Sequence, residues 1–128
     1  AASLVENHVY IANVGDSRLY LIGRDIRQIT RDHSLVEDMV RMGVLEREEA
    51  RTHYKKNVIT KAIGVADDKT STPDIFEIEV ENGDKLLLCS DGLTNMVEDY
   101  DIKKIVKDII VKKHLCGQEI TTGIYLFL

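Results

Sequence analysis

The chain has 128 residues, 44% of them hydrophobic, with one proline, no tryptophan and a formal net charge of −5. That length allows one domain with a core, and the acidic balance excludes a general nucleic-acid binder, which needs clustered cations against backbone phosphates. No apolar run is long enough for a membrane span and no cleavable leader is present, while Cys89 and Cys116 make no disulfide framework, so a reduced, cytoplasmic protein is expected.

Ala1 to Val5 predicts a strand, Glu6-Asn7 a tight turn and His8 to Val14 a second strand. Gly15-Asp16-Ser17 is a sharp connection. Arg18 to Arg24 follows as a third strand, with Leu19 and Leu21 on one face, and Ile26 to Thr30 as a short fourth. The chain is therefore expected to open as an antiparallel meander.

Ser34-Leu-Val-Glu37 is a capping-box pattern ahead of a helix ended by Gly43, and Glu46 to Thr52 predicts a second short helix. This charged pair is a surface excursion, and Asn57 to Gly64 is a return segment that fits strand or helical turn. Ala66 to Ser71 is a polar loop. Phe76, Ile78 and Val80 alternate with Glu77, Glu79 and Glu81, a strand with one wet face. Asn82-Gly83 is a hairpin signal leading into Leu86 to Cys89, an apolar run suited to a strand buried on both faces. Met96 to Tyr100 is a short turn or helix. Asp101 is expected to cap a helix with Ile102, Ile105, Val106, Ile109 and Ile110 on one face and Lys112, Lys113 and His114 at its negative end. Ile120 to Leu128 predicts a last strand. Antiparallel strands with segregated helices make an α+β class.

Two carboxylates stand out by position. Asp16 and Asp91 each follow a strand, and Gly92 beside Asp91 permits close approach of a ligand. Hard divalent cations take such oxygens, though a turn aspartate explains either residue equally well. A cysteine-dependent phosphatase needs an arginine shortly after its nucleophile to hold the phosphate. Asn95 after Cys89 and Thr122 after Cys116 fill that place, so Cys89 reads as a core residue. His33 reads as a structural hydrogen-bonding residue, and Arg18 as the partner of a nearby acid.

Four stretches, Ala12-Asn-Val-Gly-Asp-Ser-Arg18, Thr30-Arg-Asp-His-Ser34, Asn57-Val-Ile-Thr-Lys-Ala-Ile-Gly64 and Leu87-Leu-Cys-Ser-Asp-Gly-Leu-Thr94, occur in this order. Together they resemble the bacterial form of the metal-dependent protein phosphatases, the protein phosphatase 2C family. The resemblance implies an antiparallel β-sandwich flanked by helices, in four αββα layers, incomplete in this chain. It makes residues 1–128 a partial domain lacking its N-terminal half, with 34–60 as a flap-like excursion. It implies hydrolysis of phosphoserine and phosphothreonine in a protein substrate by a water activated between two Mn²⁺ or Mg²⁺ ions, opposing a serine/threonine kinase.

By the same resemblance Asp91, with Gly92, matches a strand-end metal ligand. Asp16 matches the ligand of an additional metal, and Asn95 lies where some members carry a further carboxylate. The family's closing Gly-Gly-x-Asp-Asn-x-Thr motif corresponds to Cys116-Gly-Gln-Glu-Ile-Thr121, one residue short, with Glu119 as the stand-in for its aspartate. Lys61 replaces a common arginine, and Tyr54 stands where a proline is common. The family's N-terminal acidic residues and phosphate-gripping arginine have no match, so the isolated chain is expected to have little activity. The alternative is a catalytically dead interaction or regulatory module. Exposed sheet edges would also favour self-association.

Overall fold

Alternating apolar residues build two short hairpins. β1 (Ala2–Val5) and β2 (His8–Asn13) pair antiparallel, with Val5 opposite His8. Glu6 turns the chain between them at φ 55°, a left-handed conformation that costs a side-chain-bearing residue about 1–2 kcal/mol. β3 (Arg18–Ile22) and β4 (Ile26–Gln28) form the second hairpin, with Ile22 opposite Ile26. The structure, a computed structural model, describes residues 1–64, 72–114 and 123–127, with backbone alone at 109–114 and 123–127.

The two hairpins do not make one meander. The described strands form two sheets, ordered β1-β2-β5 and β4-β3-β6-β7. The chain leaves the first sheet after β2, where Gly15 at φ 105° redirects it in a conformation open to glycine. β5 (Asp74–Glu79) and β6 (Lys85–Cys89) also lie in different sheets, so the Asn82-Gly83 turn does not close a hairpin between them. The turn itself forms: the Asp84 amide donates to the Glu81 carbonyl at 3.0 Å, and Asp84 Oδ2 accepts the Glu81 amide at 3.0 Å. Burial decides the pairing instead. β5 exposes Glu77 and Glu79 and sits at a sheet edge. β6 is apolar on both faces and takes a central place between β3 and β7 (Gly123–Phe127).

The β6–β7 pairing is parallel, with Lys85 opposite Gly123, in a sheet otherwise antiparallel. A parallel return needs a crossover, and the long helix between the strands supplies it. β3 is buried on both faces. Leu19 is buried while Leu21 is only half-buried, and Tyr20 and Ile22, on the opposite face, are fully buried.

The described chain divides into two compact units, Ala1–Ser17 with Thr30–Ile78, and Arg18–Ile29 with Glu79–Leu128. In the first, α1 (Leu35–Arg41) begins with Ser34 Oγ accepting the Glu37 amide and ends at Gly43, φ 71°. The Glu37 carboxylate does not complete the capping box. It accepts both guanidinium nitrogens of Arg47, tying α1 to α2 (Arg47–Ala50), and the reciprocal box is found in α2 between Glu46 and Glu49. The return segment is neither strand nor helix: Ile59 makes an isolated bridge to Ser34, and the Thr60 amide donates to the His33 carbonyl at 2.8 Å.

In the second unit, Tyr20, Ile22, Leu87 and Cys89 pack with Ile102 and Val106 of α4 (Asp99–His114). α3 (Asp91–Thr94) precedes it. The expected cap at Asp101 is displaced. α4 starts at Asp99, the Ile102 amide donates to the Glu98 carbonyl, and Asp101 sits in the first turn, where its charge suits the dipole. Ile105 is 47% exposed, so the buried stripe is narrower than the sequence implied. The loop 66–71, the side chains of Ile109, Ile110 and Lys112 to His114, and the 116–121 motif with Glu119 lie outside the described residues.

Candidate functional site

β6 carries its buried run straight to an acidic end. Leu86 and Leu87 are fully buried, and the chain then exposes Asp91 as the first residue of α3. Ser90, extended at φ −80° and ψ 171°, makes the transition, and its carbonyl accepts the Leu93 amide at 3.2 Å. A strand buried on both faces and paired on both sides is a rigid mount for the residue that follows it.

Asn95 sits one turn on. Its Nδ2 donates to Asp91 Oδ2 at 3.3 Å and its amide to the Asp91 carbonyl at 2.8 Å. The side-chain contact braces the carboxylate. Gly92 is exposed, and a Cβ there would meet nothing nearer than Ser90 Oγ at 3.4 Å. Asp91 and Gly92 on α3 and Asn95 at its C-cap are thus brought together.

Asp16 belongs to the other unit, half-buried in the turn after β2. Its neighbour Gly15 is held from several sides. The Gly15 amide donates to His33 Nδ1 at 3.0 Å, and the Gly15 carbonyl accepts the His33 amide at 3.0 Å and Asn13 Nδ2 at 3.4 Å. Asn13 also donates to the Arg31 carbonyl. Because His33 Nδ1 accepts, the ring proton belongs on Nε2, which faces Asp74 Oδ2 at 3.1 Å. Asp74 Oδ1 in turn accepts Lys61 Nζ at 3.0 Å. Burial pushes the Asp74 carboxyl up, but the hydrogen bond from Lys61 and the close His33 ring outweigh it and hold the carboxyl below its ordinary value.

Sequence reasoning gave His33 a structural role, and the structure agrees while supplying the partners. Asp74 carried no motif, and Lys61 registered only as a replacement for arginine. The one available signal was that a lysine in a return segment keeps a charge. Arg18 meets its acid at one remove: Arg18 Nη1 donates to Tyr20 Oη at 3.0 Å, and that hydroxyl donates to Asp99 Oδ1 at 3.1 Å. Burial pushes the Tyr20 phenol up to about 12, against the Arg18 charge. His8 faces Glu77 at 3.1 Å, its side chain 41% exposed.

The donor chemistry suits a hard divalent cation, since an exposed carboxylate at a strand end offers the oxygens such ions take. Among the described residues no group of three or more His, Cys, Asp or Glu side chains forms a cage. Asp16, in the first unit, and Asp91, in the second, each bring one carboxylate. Among the described residues no helix is long and apolar enough to cross a membrane.

Residues 1–125 match protein phosphatase 2C. The chain belongs to the protein phosphatase 2C family. It is 46% identical over 108 residues to a serine/threonine phosphatase of Listeria innocua, covering 84% of this chain and 42% of that protein. Its structure resembles the S. agalactiae serine/threonine phosphatase with a TM-score of 0.77 at 37% identity, covering 94% of this chain and 45% of that one. It also resembles the catalytic domain of the serine/threonine protein phosphatase PstP, solved with two manganese ions, at a TM-score of 0.70 and 31% identity, covering 83% and 43%. The fold is that of the bacterial phosphatases of this family, and the chain spans about two-fifths of the length of the relatives it matches.

Proposed function

We propose that this chain is the part of a metal-dependent protein serine/threonine phosphatase that contributes Asp16 and Asp91 as cation ligands, with Gly92 leaving space beside Asp91. The carrying observation is Asp91: an exposed carboxylate on a rigid strand end, in a chain that matches the phosphatase family over residues 1–125. Mn²⁺ or Mg²⁺, when bound, would lower the pKa of a coordinated water and neutralise charge on the phosphoryl group. The chain's own residues do the positioning. β6 fixes the Asp91 backbone, Asn95 restrains its carboxylate, and the Gly15 turn sets the backbone beside Asp16. Glu119 is kept as a further candidate ligand.

Phosphoserine and phosphothreonine proteins are the substrates, and a serine/threonine kinase supplies them. The excursion at 34–60 exposes Met42 (68%) and Tyr54 (83%), surface suited to contact with a protein substrate. Val5, 54% exposed on the edge strand β1, supports self-association, which sedimentation at two concentrations would detect.

The test is release of phosphate from a phosphothreonine peptide by the whole phosphatase of which this chain is proposed to be a part, with Mn²⁺, the isolated chain being expected to show little activity. Hydrolysis should stop on chelation and fall by about 100-fold or more in Asp91→Asn, since lost support around a ligand alone costs 10–100-fold. Hydrolysis that survives chelation, or that Asp91→Asn leaves intact, overturns the reading.

A further inference from the structure

The restraint on Gly15 exceeds what a turn needs. One residue, His33, engages both peptide groups of Gly15: its ring accepts the amide and its own amide donates to the carbonyl, each at 3.0 Å. The ring is 6% exposed, and behind it stand a carboxylate and an ammonium, Asp74 and Lys61. Asp74 and Lys61 are each 29% exposed, a polar backing that filling the space behind the ring does not call for. Its effect is orientation. His33 Nε2 faces Asp74 Oδ2 at 3.1 Å, while Nδ1 accepts the Gly15 amide.

We propose that His33 is a positioning residue for Asp16, clamping the Gly15 turn so that the next residue presents its carboxylate to a divalent cation. Gly15, at φ 105° and without a Cβ, has no steric restraint of its own. A ligand site tolerates little backbone drift, so the clamp supplies the rigidity that the glycine lacks. The proposal rests on the reading of Asp16 as a cation ligand.

The experiment is Mn²⁺ titration of the full chain by calorimetry, with folding monitored by circular dichroism. Asn and Gln separate the two ring nitrogens. His33→Asn puts an acceptor near the Nδ1 position, whereas His33→Gln reaches toward Nε2 and abandons Gly15. Asp16→Asn should weaken Mn²⁺ binding by well over tenfold and His33→Gln by about tenfold, while His33→Asn stays within about threefold of the parent.

Two results overturn the clamp and leave the ligand reading standing: Asp16→Asn weakened with His33→Gln unchanged, or His33→Asn weakened as much as His33→Gln. Unchanged binding in Asp16→Asn removes the ligand itself, and the positioning role with it. If His33→Gln does not fold, Asp74→Ala takes its place. A loss of about threefold supports the clamp, and parent-like binding overturns it.

Discussion

Gly15 and His33, far apart in sequence, share a reciprocal pair of hydrogen bonds, amide to ring and carbonyl to amide, both at 3.0 Å. The pair closes the turn after β2 onto the entry to α1. A buried, bonded amide exchanges with solvent only when its surroundings open. The Gly15 amide should therefore be strongly protected from hydrogen exchange in the parent chain. It should lose that protection in His33→Gln and keep most of it in His33→Asn.

Tyr20 Oη links Arg18 to Asp99 from the middle of the second unit's core. Tyr20→Phe removes the hydroxyl and with it the hydrogen bonds to Arg18 and Asp99, at a cost of about 1–3 kcal/mol in denaturant unfolding. The phenol's pKa is raised in the fold from 10.0 to about 12, mainly by burial. A raised value means the folded state favours the neutral form. Its contribution to stability is intact below pH 10 and is lost as pH climbs toward 12. An absorbance titration should show this tyrosine ionising last, and Tyr20→Phe should remove that step.

Asp74 has the opposite sign. Burial raises its carboxyl, but Lys61 and His33 bring it net below the ordinary 3.8. Its folded value being depressed, its contribution is present above the unfolded value and lost as pH falls through the folded one. The urea midpoint should drop below about pH 4, and Asp74→Asn should lower the neutral-pH midpoint while flattening that acid limb.

Gly23 follows β3 and lies against the turn before β6. A Cβ there would collide with Asp84 Oδ1, on a residue whose other oxygen already accepts the Glu81 amide. Gly23→Ala should cost about 1–3 kcal/mol by overpacking, read as a shift in denaturant midpoint with unchanged slope.

Local chemistry was legible where one residue type dictates one conformation. Glu6-Asn7 turns, Ser34 caps α1, Gly43 ends it, and the Leu86–Cys89 run is the buried strand. What the sequence concealed was partnership. Asn82-Gly83 makes its turn, yet a turn fixes direction over a few residues and does not choose which sheet receives the next strand. Alternation assigned Leu19 and Leu21 to one face of β3, but a central strand buries both faces, and Tyr20 with Ile22 are the residues that meet α4. Of the candidate ligands, Asp91, Gly92 and Asn95 could be placed from the strand that precedes them. The support beneath Asp16 could not, because His33, Asp74 and Lys61 come from three separated segments and carry no shared spacing.

The interleaving of the two units sets a timetable for synthesis. The hairpin β3–β4 belongs with strands that the ribosome makes later, while most of the first unit is inserted between them. β3 ends at Ile22 and its partner β6 begins at Lys85; at about 5–20 residues per second β3 emerges seconds before β6. During that interval the apolar faces of Leu19, Tyr20 and Ile22 have no sheet to join. A nascent chain paused in this stretch is a client for a chaperone, and a protein cut anywhere between residues 30 and 78 loses the wholeness of its first unit and the covalent continuity of its second.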